Sequence, residues 1–349
     1  MQEEYDVLVV GAGPAGSSAA FSAAKNDAKV LLIDKKKIVG KPVQCAEYIP
    51  KLLLNQLDVS NNCIAQKIKG MKTYTENDEC FITHSPGYIL HRDIFDKELV
   101  KKATDAGSTL LLHTTCVSKH NNKILIHENG EKKFITSKII IGADGPRSTV
   151  GSFIHSENAS FIIGVQHSVP LISDKNYTRV YVNSRFYGGY AWMFPKKETA
   201  NVGFGIKQGT SLVNTNKLLD DFTRFLEKEN IVKNNPILKT SGLIPVGGFV
   251  PSVKDNILLV GDAAGQTHPI TGGGIPQAVI CGRIAGETAS TAIKENDLSI
   301  LTEYETQWKN IFSDELQRAK KRRELLENNW DDLDTIFKKC WITFREYYE

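Results

Sequence analysis

The stretch Gly11-Ala12-Gly13-Pro14-Ala15-Gly16 decides the fold of this chain. It follows an apolar run at residues 7–10 that reads as a buried parallel strand. It opens an Ala-rich segment, residues 17–26, that reads as a helix. Gly11 permits the tight turn, Gly13 lets the backbone approach a pyrophosphate, and Gly16 allows close helix–strand packing. The first amides of the helix, Ala15 among them, offer free N–H groups and a partial positive charge to phosphate. A second strand at residues 30–33 ends in Asp34, about twenty residues on, where a carboxylate accepts hydrogen bonds from ribose hydroxyls. The following Lys35-Lys36-Lys37 reads as a solvated basic turn rather than a site for a 2′-phosphate.

Two later glycine turns extend this reading. One is Gly142-Ala143-Asp144-Gly145-Pro146-Arg147-Ser148. The other is Gly261-Asp262-Ala263-Ala264-Gly265, leading into Pro269-Ile270-Thr271-Gly272-Gly273-Gly274-Ile275. Asp262 follows a strand at residues 256–260, where its carboxylate suits the ribityl hydroxyls of a flavin. The glycine run opens another helix, residues 275–290. The amides around Gly274 and Ile275 can face the carbonyl edge of a flavin ring or the pyrophosphate. An NAD dehydrogenase has no use for this late turn, so the three stretches together point to FAD. Asp144 also has the chemistry to stabilise its own turn.

The 349 residues suffice for two domains with their own cores. A net charge of +3 is too small to imply nucleic-acid binding. Six cysteines (Cys45, Cys63, Cys80, Cys116, Cys281 and Cys340) show no CxxC pair and no metal-ligand spacing, so no metal is expected. The first strand begins almost at the N-terminus and no apolar run reaches bilayer length. A reduced, cytoplasmic protein without a cleavable signal peptide is therefore expected.

The expected class is α/β: a Rossmann-like FAD-binding domain interleaved with an antiparallel-sheet substrate domain, plus a short C-terminal helical region. Residues 1–66, 89–157 and 254–297 are assigned to the first. Residues 67–88 and 158–253 are assigned to the second, and residues 298–349 to the third. Residues 81–90 read as an extended excursion near the substrate region, and His91-Arg92-Asp93 as a helix start. Short alternating stretches between residues 161 and 250 read as an antiparallel sheet with one covered face.

Four details carry a resemblance. Gly40-Lys41-Pro42-Val43-Gln44-Cys45-Ala46-Glu47, Arg92-Asp93-Ile94-Phe95-Asp96 and Tyr190-Ala191-Trp192-Met193-Phe194-Pro195 are three of them; Gly265 after Asp262-Ala263-Ala264, where aromatic hydroxylases more often have His, is the fourth. The motif order resembles the FAD-dependent oxidoreductases of the para-hydroxybenzoate hydroxylase fold group. Within that group it most resembles the geranylgeranyl reductases, including the archaeal digeranylgeranylglycerophospholipid reductases. The resemblance covers residues 4–290, and the Tyr-x-Trp-x-Phe-Pro match is its most specific part. Ala46 departs from the Gly of many members, and the region after Ser290 is short and unmatched.

The resemblance implies reduction by FAD of isolated double bonds in a geranylgeranyl chain of a membrane lipid or prenyl precursor. It places Cys45 beside the flavin as the candidate catalytic thiol, with Ala46 and Arg92 as flavin contacts and Cys116 giving only backbone contacts near the adenine. Tyr190, Trp192, Phe194 and Pro195 become the substrate wall; on a strand, residues 190, 192 and 194 share one face. On spacing alone the same stripe reads as aromatic core. The implied electron donor is ferredoxin or NAD(P)H. The basic run Arg318, Lys320, Lys321, Arg322 and Arg323 reads as a solvated face, or as a docking site for anionic headgroups or an acidic donor. The aromatic tail (Phe337, Trp341, Phe344, Tyr347, Tyr348) reads as a peripheral membrane contact or as packing on the body. The rival functions are a flavin monooxygenase or halogenase, and a prenyl-binding chaperone on a related fold.

Overall fold

The computed structural model describes residues 3–210 and 214–349. The strand Glu3–Val10, helix α1 (Pro14–Lys25) and the strand Val30–Ile33 form the opening βαβ unit. Their sheet runs in the order Val253–Lys254, Ile257–Leu259, Glu131–Gly142, Glu3–Val10, Val30–Ile33, Thr109–Leu111. All neighbours on this path are parallel except the first pair. A meander of Thr114–His120 and Lys123–Glu128 continues antiparallel from Glu131–Gly142. The strand Val30–Ile33 is buried at every position, as expected of a parallel sheet covered on both faces.

A three-stranded sheet runs Tyr48–Pro50, Gly87–Leu90, Ile64–Ile68, and the short helix α2 (Lys51–Leu54) follows its first strand. The expected excursion at residues 81–90 is thus two strands in two sheets. Cys80–Thr83 pairs with Gly70–Tyr74, while Gly87–Leu90 joins the small sheet. Helix α3 (Arg92–Asp105) follows at once, with His91 at its N-cap. Helix α4 (Thr149–Phe153) is short and is capped by Ser148, whose hydroxyl accepts from the Gly151 N–H at 2.8 Å.

The seven-stranded second sheet runs Leu238–Pro245, Phe161–Pro170, Thr199–Lys207, Ala191–Lys196, Tyr177–Tyr181, Gly70–Tyr74, Cys80–Thr83. It is antiparallel except where Tyr177–Tyr181 pairs with Gly70–Tyr74. One face buries Ala191, Met193, Val202 and Phe204 under helix α5 (Thr215–Lys228). Its other face carries Trp192 and Phe194, which share a core with the C-terminal segment. The alternation of the sequence therefore separates two cores rather than a core from solvent.

Helix α6 (Ile275–Glu295) lies against α1, with Gly282 and Gly286 at the contact. A Cβ at Gly282 would lie 2.3 Å from the Ala15 carbonyl oxygen, and one at Gly286 would lie 2.2 Å from that of Ala19. Because 282 meets 15 and 286 meets 19, the helices run in the same direction and their N-termini open toward the same end. Helix α7 (Leu301–Asn328), about 42 Å long at 1.5 Å per residue, and α8 (Leu333–Cys340) complete the chain. The α1–α6 approach leaves no room for a methyl group. Gly286→Ala is accordingly expected to lower unfolding free energy by about 1–3 kcal/mol in denaturant titration. An unchanged midpoint would mean the helices sit further apart.

Candidate active site

The glycine turn after the first strand is built for a ligand that touches backbone. Gly11 has φ +106°, and a Cβ there would meet the Ala143 carbonyl oxygen at 2.3 Å; one at Gly16 would meet that of Gly11 at 1.8 Å. At Gly13, the N-cap of α1, an added Cβ would meet nothing within 4 Å. No side chain caps this terminus, so its first amides face open space. Asp34 is fixed at the end of its strand by the Ala12 and Lys36 N–H groups, both at 2.7 Å. Helix α6 repeats the arrangement, with Gly274 as an N-cap that no side chain satisfies and Ile275 buried at the start of the helix. The side-chain Oε1 of Gln277 in its first turn is buried without a partner among the described residues. Asp262 accepts from the Thr267 hydroxyl at 2.6 Å; burial pushes its carboxyl up, against the pull of Thr267 and Arg92. Two bare helix N-termini, an open Cβ direction at Gly13 and an orphaned acceptor fit an extended dinucleotide such as FAD.

Other residues of the sequence reading direct their side chains to the protein itself. Both carboxylate oxygens of Asp144 serve its own turn, accepting from the Ser148 hydroxyl and from the N–H groups of Thr149 and Val150. The Cys116 side chain is buried in the core beneath the meander, and burial pushes its thiol up to about 12. What lies near Asp34 is the backbone just before it, where the Thr114 N–H donates to the Asp34 carbonyl at 2.9 Å.

The Cys45 loop crosses the aromatic face of the second sheet. Gln44 lies over Gly242, the Gln166 amide donates to the Cys45 carbonyl at 3.2 Å, and Asn201 donates to the Ala46 carbonyl at 3.3 Å. Glu47 anchors the crossing from a left-handed conformation, φ +71°, that a non-glycine residue holds only where its surroundings enforce it. Its buried carboxylate accepts from Lys196 at 2.6 Å, from Asn201 at 2.8 Å and from the Arg92 N–H at 3.1 Å. Its own N–H donates to the Cys45 sulfur at 3.2 Å. Burial raises the Cys45 thiol above its ordinary range, partly offset by the Arg92 guanidinium beside it. Arg92 is held in turn by Asp96, at 3.0 and 3.2 Å.

Strand register shows what the loop faces. Gly242, Gly164 and Gly205 stand side by side in a row whose next member is Tyr190, tied by the Gly205 N–H to its carbonyl. The adjacent row is Thr240, Gln166, Gly203, Trp192. Trp192 lies against Gly203, where a Cβ would come within 2.5 Å of the indole, and its N–H donates to Gln166 at 3.0 Å. Gln166 therefore joins the indole to the Cys45 loop. Phe194 stacks edge-on with Tyr48, and the Tyr190 hydroxyl donates to the Thr271 carbonyl at 2.6 Å, reaching the glycine turn before α6. Pro195 ends the stretch within the same strand.

The C-terminal segment covers this face. Trp341 packs edge-on against Tyr190 at 5.0 Å, and Phe337 and Tyr347 are buried with it, leaving Tyr348 as the exposed member of the aromatic tail. The tail thus packs on the body. Of the basic run, Arg323 alone is drawn into the interior; the other four keep contact with solvent, as the solvated-face reading expects. Arg323 is buried, Arg322 donates to the Tyr347 and Glu346 carbonyls, and Arg318 pairs with Glu315; Lys320 and Lys321 stay exposed. Sequence reasoning passed over Glu47, Gln166, Lys196 and Asn201. A Gln and an Asn on otherwise apolar strands are the signal that was there to find; nothing in the pattern separates Arg323 from its neighbours.

Comparison with known proteins fits this geometry. The family description "Geranylgeranyl reductase catalytic domain" matches residues 161–244, and "FAD dependent oxidoreductase" matches residues 6–145. A digeranylgeranylglycerophospholipid reductase of Methanocaldococcus jannaschii is 36% identical over 96% of this chain and 90% of its own length. One from Methanococcus vannielii is 35% identical, again over 96% and 90%. A solved geranylgeranyl bacteriochlorophyll reductase-like protein from Thermoplasma acidophilum superposes with a TM-score of 0.86 at 32% identity, covering 96% of this chain and 91% of that one. A flavin-dependent brominase shares the fold alone, with a TM-score of 0.73 at 16% identity and 96% and 91% coverage. The chain belongs to the geranylgeranyl reductase family of FAD-dependent oxidoreductases.

Proposed function

We propose that this chain reduces the isolated double bonds of a geranylgeranyl chain carried by a glycerophospholipid or prenyl precursor. The observation that carries the reading is the Cys45 loop crossing the Tyr190–Trp192–Phe194 face where that face meets the glycine turn before α6. FAD, when bound, supplies the hydride. Residues 1–66, 89–157 and 254–297 hold it: Gly11, Gly13, Ala15, Gly16 and Asp34 at the pyrophosphate and ribose, with Asp262, Gly274 and Ile275 nearer the ring. Cys45, Ala46 and Arg92 border the ring side, and the backbone near Cys116 borders the adenine. Residues 67–88 and 158–253 take the lipid.

A trisubstituted alkene is not polarised, so its reduction calls for protonation and a surface that tolerates positive charge at the tertiary carbon. Tyr190, Trp192 and Phe194 offer π faces in an apolar setting, and Pro195 ends that wall. The Trp192 N–H is taken up by Gln166, which leaves the ring face as its substrate surface. The glycine row 242–164–205 carries no side chains of its own, so Gln44, Ile244 and Ile162 pack close over its backbone beside the wall. The aromatic roof at residues 337–347 keeps water out. Cys45 retains its proton at neutral pH because burial raises its thiol, so Sγ is a proton holder within this wall.

The deciding experiment is anaerobic. Reduced holoprotein mixed with a geranylgeranylated glycerolipid is expected to reoxidise while each alkene gains two hydrogens by mass. A flavin that stays reduced until oxygen enters would instead support a monooxygenase. Trp192→Ala is expected to lower turnover by about 10-fold or more with FAD content unchanged, and unchanged turnover removes Trp192 from the wall. Gly13→Ala is expected to leave stability within about 0.5 kcal/mol while weakening FAD binding, measured by denaturation and flavin titration. Alkylation of Cys45, mapped by peptide mass, is expected to rise only at alkaline pH. Arg92→Gln removes the charge that favours the thiolate, so its alkylation profile is expected to move to still higher pH; a shift to lower pH would contradict the assigned field.

A further inference from the structure

The C-terminal helix α7 places one buried cation between the two halves of the site. Arg323 is 5% exposed. Its NH1 donates to the Pro269 carbonyl at 2.9 Å, and its NH2 donates to the Gly188 carbonyl at 2.7 Å. Pro269 begins the turn that reaches Gly274 at the start of α6, and Gly188 stands two residues before Tyr190. Glu327, one turn further along the helix, pairs with the guanidinium at 2.7 Å and also holds Lys207. Next to this link, Tyr190 makes a direct one through its hydroxyl to Thr271, in the same turn. A third support comes from Glu315 of α7, which meets His268 at 3.1 Å and accepts from Tyr347 at 2.8 Å.

We propose that Arg323 is a positioning residue that fixes the separation between the glycine turn before α6 and the Tyr190–Trp192 wall. The proposal rests on the reading of these two elements as the flavin side and the alkene side of one site. A guanidinium suits the task because its planar fork spans two carbonyls in fixed directions. An ammonium offers one point of charge, so a lysine there would hold one carbonyl and release the other. Gly188 is part of the device: a Cβ at that position would stand 3.2 Å from NH2, within the space the fork occupies. Reduction of an alkene depends on sub-ångström placement of the reacting atoms, and a displacement of about 1 Å costs on the order of 100-fold in rate.

The test compares Arg323→Lys with the wild-type holoprotein. Arg323→Gln, uncharged and able to reach only one carbonyl, serves as a second variant because it does not share the burial cost of a lysine. Hydrogen exchange of the peptides covering residues 186–191 and 268–274 is read first, without any lipid. Faster exchange in both together, with FAD content retained, is expected. Anaerobic single turnover with a geranylgeranylated glycerolipid is read second, with about 100-fold slower reoxidation and little change in lipid affinity expected. Turnover at the wild-type rate in a folded variant would overturn the proposal. So would exchange changes confined to α7, or a rate that falls only in proportion to lost FAD. Wild-type protein that never reduces the lipid would sink the functional reading instead, and the exchange measurement would still judge the link.

Discussion

The contact between α1 and α6 is the constraint on which the rest of the molecule depends. Glycines at 282 and 286 meet the Ala15 and Ala19 carbonyls so closely that no side chain fits between them. Because the pairing is parallel, it brings two helix N-termini, at Gly13 and Gly274, to one side of the sheet. Each terminus carries unsatisfied amides and a fraction of positive charge, and neither has a side-chain cap. A bulkier contact would move the two termini apart and change the spacing they offer to an extended anionic cofactor.

A second level of order comes from buried polar groups that tie loops to sheets. Glu47 gathers Lys196, Asn201 and the start of α3 around one carboxylate, and that arrangement holds its backbone in a left-handed conformation. Gln166 connects the Trp192 indole with the Cys45 carbonyl. Buried groups of this kind are costly unless each finds its partners, so their completeness gives one arrangement preference over near alternatives. The thiol and the aromatic wall are consequently positioned by the same network rather than by two independent loops.

Helix α7 works at a third level, as a strut. Its Tyr304 donates to the Leu259 carbonyl at 2.8 Å and receives Gln266, which in turn accepts from the Gly261 N–H. Further along, Glu315 holds His268, and Arg323 holds Pro269. One helix thereby fixes successive points of the segment from Leu259 to Pro269, and the segment beyond it roofs the aromatic face with Trp341. Arg323 and the buried rings Phe337, Trp341 and Tyr347 serve the interior, where carbonyl partners and apolar surface take them up.

The sequence by itself determined the opening βαβ unit, the three glycine turns, the start of α3 after His91 and the antiparallel second sheet. Each rests on local rules, namely the period of apolar residues, the backbone freedom of glycine and the chemistry of caps. It also placed residues 190, 192 and 194 on one face, since strand alternation is purely local. Only the tertiary structure decided what that face meets. The splitting of residues 80–90 between two sheets, the crossing of the Cys45 loop over Gln166, and the burial of Arg323 all join residues far apart in the chain. A basic run and an aromatic tail look the same in sequence whether they face solvent or a core. Their placement depends on whether carbonyls and apolar surface wait opposite them, and that is a property of the assembled fold.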